Sequence, residues 1–283
     1  LCAAAITSTP ATVTIDVTPV NDPPVPTDDS YATRVGPPVS FADFASTDGL
    51  TLNGPAAAVT TTDGTVLRVV PADFGQRGSA FTSLTRNVTR FSTAFTFRLA
   101  PSEGGGDGFA FVLQPVGPTQ LGARGENLGL GEFPDPSLCG VETPCQGAKI
   151  SPSVAVEFDT FPNFYDPNDN HIGVDVNGSM VSVQTADVSP LGSLKDGALW
   201  YAWVEYDGAT LAVRLSRTSE RPADATLAYA IDIPSTLGGS DAFVGFTAGT
   251  GGAVENADIL NWSYVGASDV VVAGPPAGLT GWW

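Results

Sequence analysis

The stretch VAVEFDTFPNFYDPNDNH, residues 154–171, contains the pattern on which the interpretation of the whole chain depends. It begins as a strand, because alternate residues are apolar and would point to one face. Those residues are Val154, Val156 and Phe158. The opposite face carries Glu157 and Asp159, two carboxylates side by side on a strand that is otherwise apolar. Carboxylates are rarely buried unless something neutralises them, so the strand predicts a cationic partner for both.

The turn after this strand supplies further candidate metal ligands. They are Asn163, Asp166 and His171, the only histidine of the chain. Three carboxylates, an amide oxygen and one imidazole suit two adjacent divalent ions: the all-oxygen set suits Ca²⁺, and the set with the imidazole suits a transition metal such as Mn²⁺. The alternative interpretation is an exposed loop rich in Asp and Asn. That alternative does not explain why Glu157 and Asp159 lie within a strand of β-branched and aromatic residues.

The spacing E-x-D…N-x-x-D…H, continued by HIGVDVNG at residues 171–178, resembles the metal-binding segment of the legume (L-type) lectins, the concanavalin A-like family. The resemblance implies an all-β fold, an antiparallel β-sandwich of jelly-roll type, and Ca²⁺-dependent carbohydrate binding without catalysis. It implies that Mn²⁺ or a second Ca²⁺ is held by Glu157, Asp159, Asp166 and His171. It implies that Ca²⁺ is held by Asp159, the backbone carbonyl of Phe161, Asn163 and Asp166.

A second stretch, GGGDGFAFVL at residues 104–113, places Asp107 among glycines at the mouth of a predicted strand. Aspartate is common in turns for purely structural reasons. In the lectins, however, the aspartate of this DGFAF motif follows a cis peptide, here Gly106–Asp107, and accepts hydrogen bonds from two sugar hydroxyls. The resemblance adds further sugar contacts. The amide of Gly125 and the side chain of Asn163 would form hydrogen bonds, and the ring of Phe161 would stack on the sugar. The loop with Gly251 and Gly252 would also contact it. Glu126, directly after Gly125, departs from the family pattern.

The remaining strands are predicted from alternation and turn residues. Phe95 and Phe97, two apart in FSTAFTFRL, are expected to face the core. Met180–Thr185 is predicted as a strand, and Asp207-Gly208 between two strand-like runs predicts a hairpin turn.

Four regions are predicted along the chain. The lectin resemblance covers residues 39–266, the expected carbohydrate-binding domain. Residues 1–25 resemble the closing strand of the cadherin-like or immunoglobulin-like repeats of large bacterial surface proteins, and 26–38 form a Pro- and Asp-rich linker. Residues 267–283 are a linker followed by a short resemblance to the start of a laminin-G-like domain. The chain is therefore expected to be an excerpt of a multidomain bacterial adhesin, with the neighbouring domains as partners.

The composition favours an extracellular, turn-rich protein. The 283 residues include 32 glycines and 23 prolines, and the net charge is −18. This charge argues against binding to nucleic acid or anionic membranes, which needs basic patches, and no apolar run is long enough to insert into a membrane. Cys139 and Cys145 flank GVETP, and a disulfide between them is expected in an extracellular protein. The expected partners are glycans on a cell surface or polysaccharide.

Two alternatives from other classes remain. One is a structural spacer of an adhesin, in which Ca²⁺ only stiffens the chain. The other is a glycoside hydrolase, because retaining glucanases share this architecture and carry an E-x-D-x-x-E pattern on a strand. In this chain the position of the last acid in that pattern is occupied by Pro162. In addition, carboxylates held by a metal do not readily serve as acid and nucleophile. We therefore expect that the domain is not an enzyme.

Overall fold

The computed structural model describes residues 38–133 and 147–267. In these ranges the chain forms strands connected by loops, one short helix and one 3₁₀ turn (Gly125–Asn127). The strands of the first half are β1 (Val39–Phe41), β2 (Leu50–Asn53), β3 (Ala57–Thr61), β4 (Gly64–Val70), β5 (Arg77–Thr82), β6 (Arg86–Asn87), β7 (Phe91–Glu103) and β8 (Gly108–Gln114). The later elements are β9 (Val154–Asp159), β10 (His171–Val176), β11 (Gln184–Asp187), β12 (Trp200–Tyr206), β13 (Thr210–Ser216), β14 (Leu227–Ala230), α1 (Ile233–Leu237), β15 (Asp241–Gly249) and β16 (Val254–Gly266).

The strands form two eight-stranded sheets. The first has the order β14-β13-β12-β7-β16-β4-β3, with β1 also paired to β16. The second has the order β11-β10-β9-β8-β15-β5-β2, with β6 also paired to β15. All ladders between these strands are antiparallel. The predicted all-β antiparallel sandwich is therefore confirmed.

The core between the sheets is strongly aromatic beneath the predicted site. Phe109 on β8 lies opposite Phe158 on β9, and their rings stack with centroids 4.5 Å apart. From the facing sheet, Phe95 and Phe97 on β7 pack edge-on against these two rings. Burial of a phenylalanine side chain is worth about 1.5–3 kcal/mol, so this cluster holds β8 and β9 firmly together. The prediction that Phe95 and Phe97 face the core is confirmed.

Register brings four strand ends to one end of the second sheet. Gly108 on β8 pairs with Asp159 on β9, and Asp159 pairs in turn with His171 on β10. On the other side, Gly108 pairs with Gly249 on β15. The loops next to these residues therefore meet at this end of the sheet, although they are far apart in sequence.

The strand predicted at Met180–Thr185 is displaced, because β11 spans Gln184–Asp187 and shares only Gln184 and Thr185 with the prediction. The residues before Gln184 are not in a strand. Met180 packs into a small apolar cluster with Leu130 and Ile150, and Ser182 turns its hydroxyl toward Glu157. The hairpin prediction is confirmed, since Asp207-Gly208 connects β12 to β13, and Gly208 adopts a left-handed φ of 97° that favours glycine.

Several predictions fall outside the described residues. They are the repeat fragment 1–25, most of the linker 26–38, most of the segment 267–283, and the Cys139–Cys145 disulfide, and all of them stay predictions. Among the residues that the structure describes, no helix has the length and apolar character needed to cross a membrane.

Candidate metal and ligand site

Four candidate metal ligands converge where β9 and β10 meet. Ligand atoms of Asp159, Asp166 and His171 all lie within 4.8 Å of one another. Glu157 joins them, because its Oε1 lies 3.3 Å from Nε2 of His171. The period of two along β9 places both acids on the face toward His171, as the sequence pattern predicts. Three carboxylates and one imidazole are thus gathered in a largely buried position.

Backbone hydrogen bonds fold the turn after β9 back over these ligands. The N–H of Phe161 donates to Oδ1 of Asp159 at 2.9 Å. The N–H of Asn163 donates to Oδ2 of Asp166 at 2.7 Å, and the N–H of Asp166 donates to the carbonyl of Asn163 at 3.1 Å. Asn163 is therefore held beside the carboxylates, and its Oδ1 is buried without a hydrogen-bond partner.

The electrostatics of this cluster favour a bound cation. Burial, with repulsion from Glu157 and Asp166, raises the pKa of Asp159 well above its ordinary value. Burial likewise raises the pKa of Asp166 to about 6. The pKa of His171 is raised although burial acts to lower it, because the carboxylate of Glu157 favours the imidazolium. A divalent ion would remove the mutual repulsion of the acids and would give Oδ1 of Asn163 its missing partner. The donor set fits Ca²⁺ next to a transition metal.

Asp107 lies on the neighbouring loop, at the mouth of β8. The Gly106–Asp107 peptide is cis, as the resemblance implies. The N–H of Asp107 donates to the carbonyl of Gly249 at 3.2 Å, and its own carbonyl accepts from the N–H of Thr160 at 3.1 Å. The side chain is only 4% exposed, yet Oδ2 has no hydrogen-bond partner. The backbone of Asp107 is therefore fixed from two strands, and one buried carboxylate oxygen is left without a hydrogen-bond donor.

Two glycines lie close to this oxygen, where a side chain would crowd it. A Cβ at Gly251 would lie 3.1 Å from Oδ2 of Asp107, and a Cβ at Gly125 would lie 3.9 Å from it. Gly125 also has a left-handed φ of 64°, which side-chain-bearing residues rarely adopt. The ring of Phe161 closes another side, because a Cβ on Gly106 would come within 3.2 Å of it. Gly106, Gly125, Phe161 and Gly251 thus surround the side chain of Asp107 next to the metal ligands, and we call this site the recess.

Burial is the main reason why the pKa of Asp107 is raised to about 7. The negative charges of Glu126 and Asp166 add to the increase, while a hydrogen bond from the backbone of Gly251 opposes it. A buried carboxylate with an unused acceptor site is stabilised by a hydroxyl donor. The recess therefore suits a ligand rich in hydroxyl groups.

Two predicted contacts differ in detail. The N–H of Gly125, expected to donate to a sugar, donates instead to the carbonyl of Thr250 at 3.1 Å, so Gly125 contributes space rather than a free donor. Gly252 lies at the rim, where an added Cβ would meet nothing within 4 Å. The other predicted residues converge at this end of the sheet.

Sequence reasoning missed Asp175 and Ser182. Asp175 is 0% exposed, and burial and the charge of Glu157 raise its pKa well above its ordinary value. The Oγ of Ser182 lies 2.6 Å from Glu157 and 2.8 Å from Asp175. The hydroxyl of Ser182 is therefore placed to donate to either carboxylate. The alternation of β10 already places Asp175 on the same face as His171, so this acid could have been found from the sequence.

The fold and the site together define an antiparallel β-sandwich with a cluster of candidate metal ligands beside the buried carboxylate of Asp107. The family model of the legume lectin domain matches residues 40–272, so the chain belongs to this family. Legume lectin domains bind carbohydrate and are not enzymes, which confirms the prediction that the domain is not catalytic.

Relatives and solved structures agree with this assignment. The chain is 34% identical over 245 residues to the probable L-type lectin-domain containing receptor kinase VII.2 of Arabidopsis thaliana, covering 79% of this chain and 34% of the kinase. It is 35% identical over 190 residues to agglutinin-2 of Cladrastis kentukea, covering 64% of this chain and 60% of that protein. The lectin from Bauhinia forficata in complex with GalNAc superposes with a TM-score of 0.64 at 26% identity, covering 80% of this chain and 96% of that chain.

The chain spans less than two thirds of the length of these curated relatives. They are plant lectins and receptor kinases, so they lend no support to the predicted bacterial adhesin setting, which stays a prediction.

Proposed function

We propose that the domain binds a neutral region of a glycan in a Ca²⁺-dependent manner, in the recess around Asp107. The observation that carries this proposal is the buried Oδ2 of Asp107, which has no hydrogen-bond partner and lies beside Gly125 and Gly251, two residues without side chains. Hydroxyl groups of a sugar would donate to this carboxylate, each in a charge-assisted hydrogen bond worth about 1.5–3 kcal/mol. The half-buried ring of Phe161 would lie against the apolar face of the sugar.

Two cations would stabilise the turn that carries Phe161 and Asn163. Ca²⁺ would be held by Asp159, the carbonyl of Phe161, Asn163 and Asp166. Mn²⁺ or a second Ca²⁺ would be held by Glu157, Asp159, Asp166 and His171. When bound, the ions supply positive charge that offsets the clustered carboxylates and fixes their positions. Asn163 would then present one N–H of Nδ2 to the ligand, since the other donates to Glu126.

An extracellular setting agrees with this function. Legume lectins are secreted or extracellular proteins, and extracellular calcium modules work with modest affinities that match the high Ca²⁺ level outside cells. The adhesion role, the domain limits 39–266 and the attachment to neighbouring repeats are part of the same proposal.

The test compares Asp107→Asn, Asp159→Asn and the parent protein on a glycan array, with calcium content measured on each. Asp107→Asn should lose glycan binding and keep its calcium, because Asp107 lies on a different loop from the metal ligands. Asp159→Asn should lose both. Asp224→Asn, at an exposed position, is the matched control and should change neither.

A parent protein that binds no glycan at saturating Ca²⁺ would contradict the proposal. Full binding by Asp107→Asn would show that the recess is not the ligand site. With calcium content intact, the absence of glycan binding by the parent would favour the alternative of a calcium-stiffened spacer.

A further inference from the structure

We propose that Glu126 positions the amide of Asn163 and restricts the ligand to glycans without a negative charge at this rim of the recess. The inference rests on the proposed sugar site at Asp107, and it adds the class of ligand and one residue that selects it.

The carboxylate of Glu126 contacts the site through one defined hydrogen bond. Glu126 lies in the 3₁₀ turn directly after Gly125 and is half-buried. Its Oε2 accepts a hydrogen bond from Nδ2 of Asn163 at 3.1 Å, between two residues that are 37 positions apart in sequence. The contact therefore ties the loop that lines the recess to the turn that carries the metal ligands.

This contact decides which way the Asn163 amide points. The two ends of an amide side chain have nearly the same shape, but one end only donates hydrogen bonds and the other only accepts them. An ionised carboxylate only accepts, so Glu126 can pair only with the nitrogen end. The oxygen end is then directed to the buried position where Oδ1 has no partner. A cation needs an oxygen at this position, and the second hydrogen of Nδ2 remains for a ligand.

The same carboxylate makes the rim electronegative. Glu126 repels the charges of Asp107 and Asp166. Cations would offset the acids that ligate them, but Asp107 and Glu126 are not among these proposed ligands. Two basic residues lie nearby among the described residues. Arg124 partly offsets the negative charge of Asp107, and Lys149 is paired with Glu132 at 3.2 Å. A hydroxyl group is a suitable donor to these acids, whereas the carboxylate of a uronic or sialic acid would be repelled.

The experiment separates the positioning role from the role of charge. Glu126→Ala removes the acceptor, Glu126→Gln keeps an acceptor oxygen but removes the charge, and Glu132→Gln is a control that removes a nearby acid without contact to Asn163. Calcium affinity is measured by titration of each metal-stripped variant. Glycan binding is measured on an array that pairs neutral oligosaccharides with counterparts carrying a uronic or sialic acid.

Glu126→Ala should weaken calcium binding by about tenfold, the loss expected for one hydrogen bond to a charged group. Glu126→Gln should restore calcium affinity and neutral-glycan binding, while its ratio of acidic to neutral binding rises by about tenfold. Glu132→Gln should match the parent in both measurements.

Calcium affinity unchanged in Glu126→Ala would overturn the positioning role. A ratio of acidic to neutral binding that stays constant in Glu126→Gln would overturn the selection of ligand by charge. If the parent binds no glycan at all, the proposed function fails, and the calcium titrations alone still decide whether Glu126 positions Asn163.

Discussion

Replacing Glu255 by glutamine tests how a fully buried acid behind the site affects stability. Glu255 on β16 is 0% exposed. Its Oε1 accepts a hydrogen bond from Oγ1 of Thr160 at 2.7 Å, and its Oε2 has no partner. Burial raises the pKa of Glu255 from 4.5 to about 7, although the hydrogen bond from Thr160 and the charge of Lys195 act to lower it. Glutamine has nearly the same shape, can still accept from Thr160, and carries no charge at any pH.

The sign and size of the effect follow from this raised pKa. Between pH 4.5 and 7 the native state holds a proton that the unfolded state has released, so the stability that this proton contributes is complete below 4.5 and is lost as the pH rises through 7. At ~1.4 kcal/mol per pKa unit, the total loss is about 3 kcal/mol. Glu255→Gln should avoid this loss. Relative to the parent, the variant should therefore gain about 2–3 kcal/mol in free energy of unfolding between about pH 5 and pH 8.5.

Urea unfolding at saturating Ca²⁺, at both pH values and for both proteins, measures this change. The pH dependence of the other acids and of metal binding is common to parent and variant, so it cancels in the double difference. Glu220→Gln, at an exposed position, is the control and should show no such change. If the stability difference between Glu255→Gln and the parent is the same at both pH values, the pKa of Glu255 is not raised in the folded protein.

Three further predictions concern the metals, the recess and the core. Chelation should lower the melting temperature, because ions present at a hundredfold excess over their dissociation constant contribute ~2.7 kcal/mol; an unchanged melt would mean that the ions are not structural. Gly251→Ala should abolish glycan binding but keep calcium, since its Cβ would lie 3.1 Å from Oδ2 of Asp107, whereas Gly252→Ala, with nothing within 4 Å, should bind normally; equal binding by the two variants on the array would refute the shape of the recess. Phe158→Ala should cost about 3–5 kcal/mol in urea unfolding, because its ring stacks on Phe109 at 4.5 Å; a loss below about 1 kcal/mol would contradict this packing.

The sequence alone predicts those parts of the site that lie within one strand and its turn. Glu157 and Asp159 are two residues apart on β9, so the period of a strand places them on one face without knowledge of the rest of the fold. His171 follows after the loop 160–170 and pairs directly with Asp159. The placement of Asp107 beside them was available only through the family resemblance, because nothing local in GGGDGFAFVL indicates that β8 neighbours β9.

The parts that could not be predicted depend on contacts between distant segments. Asn163 and Glu126 are 37 residues apart, and Thr160 and Glu255 are 95 apart. Periodicity describes one element at a time and contains no information on which loops meet. The displaced bounds of the strand predicted at Met180–Thr185 have the same origin. Its residues have strand-like propensities, but contacts of Met180 with a distant loop determine its path.

Thr160 lies between the metal ligands of β9 and the backbone of Asp107, and its hydrogen bonds predict which segment calcium keeps ordered. Its N–H donates to the carbonyl of Asp107 at 3.1 Å, and its hydroxyl donates to Glu255. Asp107 is also bonded to Gly249. None of these bonds involves a metal ligand, so the backbone at Asp107 should stay ordered after chelation. The turn that carries Asn163, in contrast, is held by bonds to carboxylates that repel one another without a cation.

Amide hydrogen exchange with and without chelator distinguishes the two segments. We expect the N–H groups of Asp107 and Thr160 to keep their protection in the chelated protein, because β8, β9 and β15 still hold them. The N–H groups of Phe161, Asn163 and Asp166 should exchange much faster, since local opening of this turn then has a low free energy. Equal loss of protection in both segments would mean that the metals hold the whole end of the sheet. On the expected result, calcium dependence of glycan binding arises because Phe161 and Asn163 lose their positions, while Asp107 keeps its own.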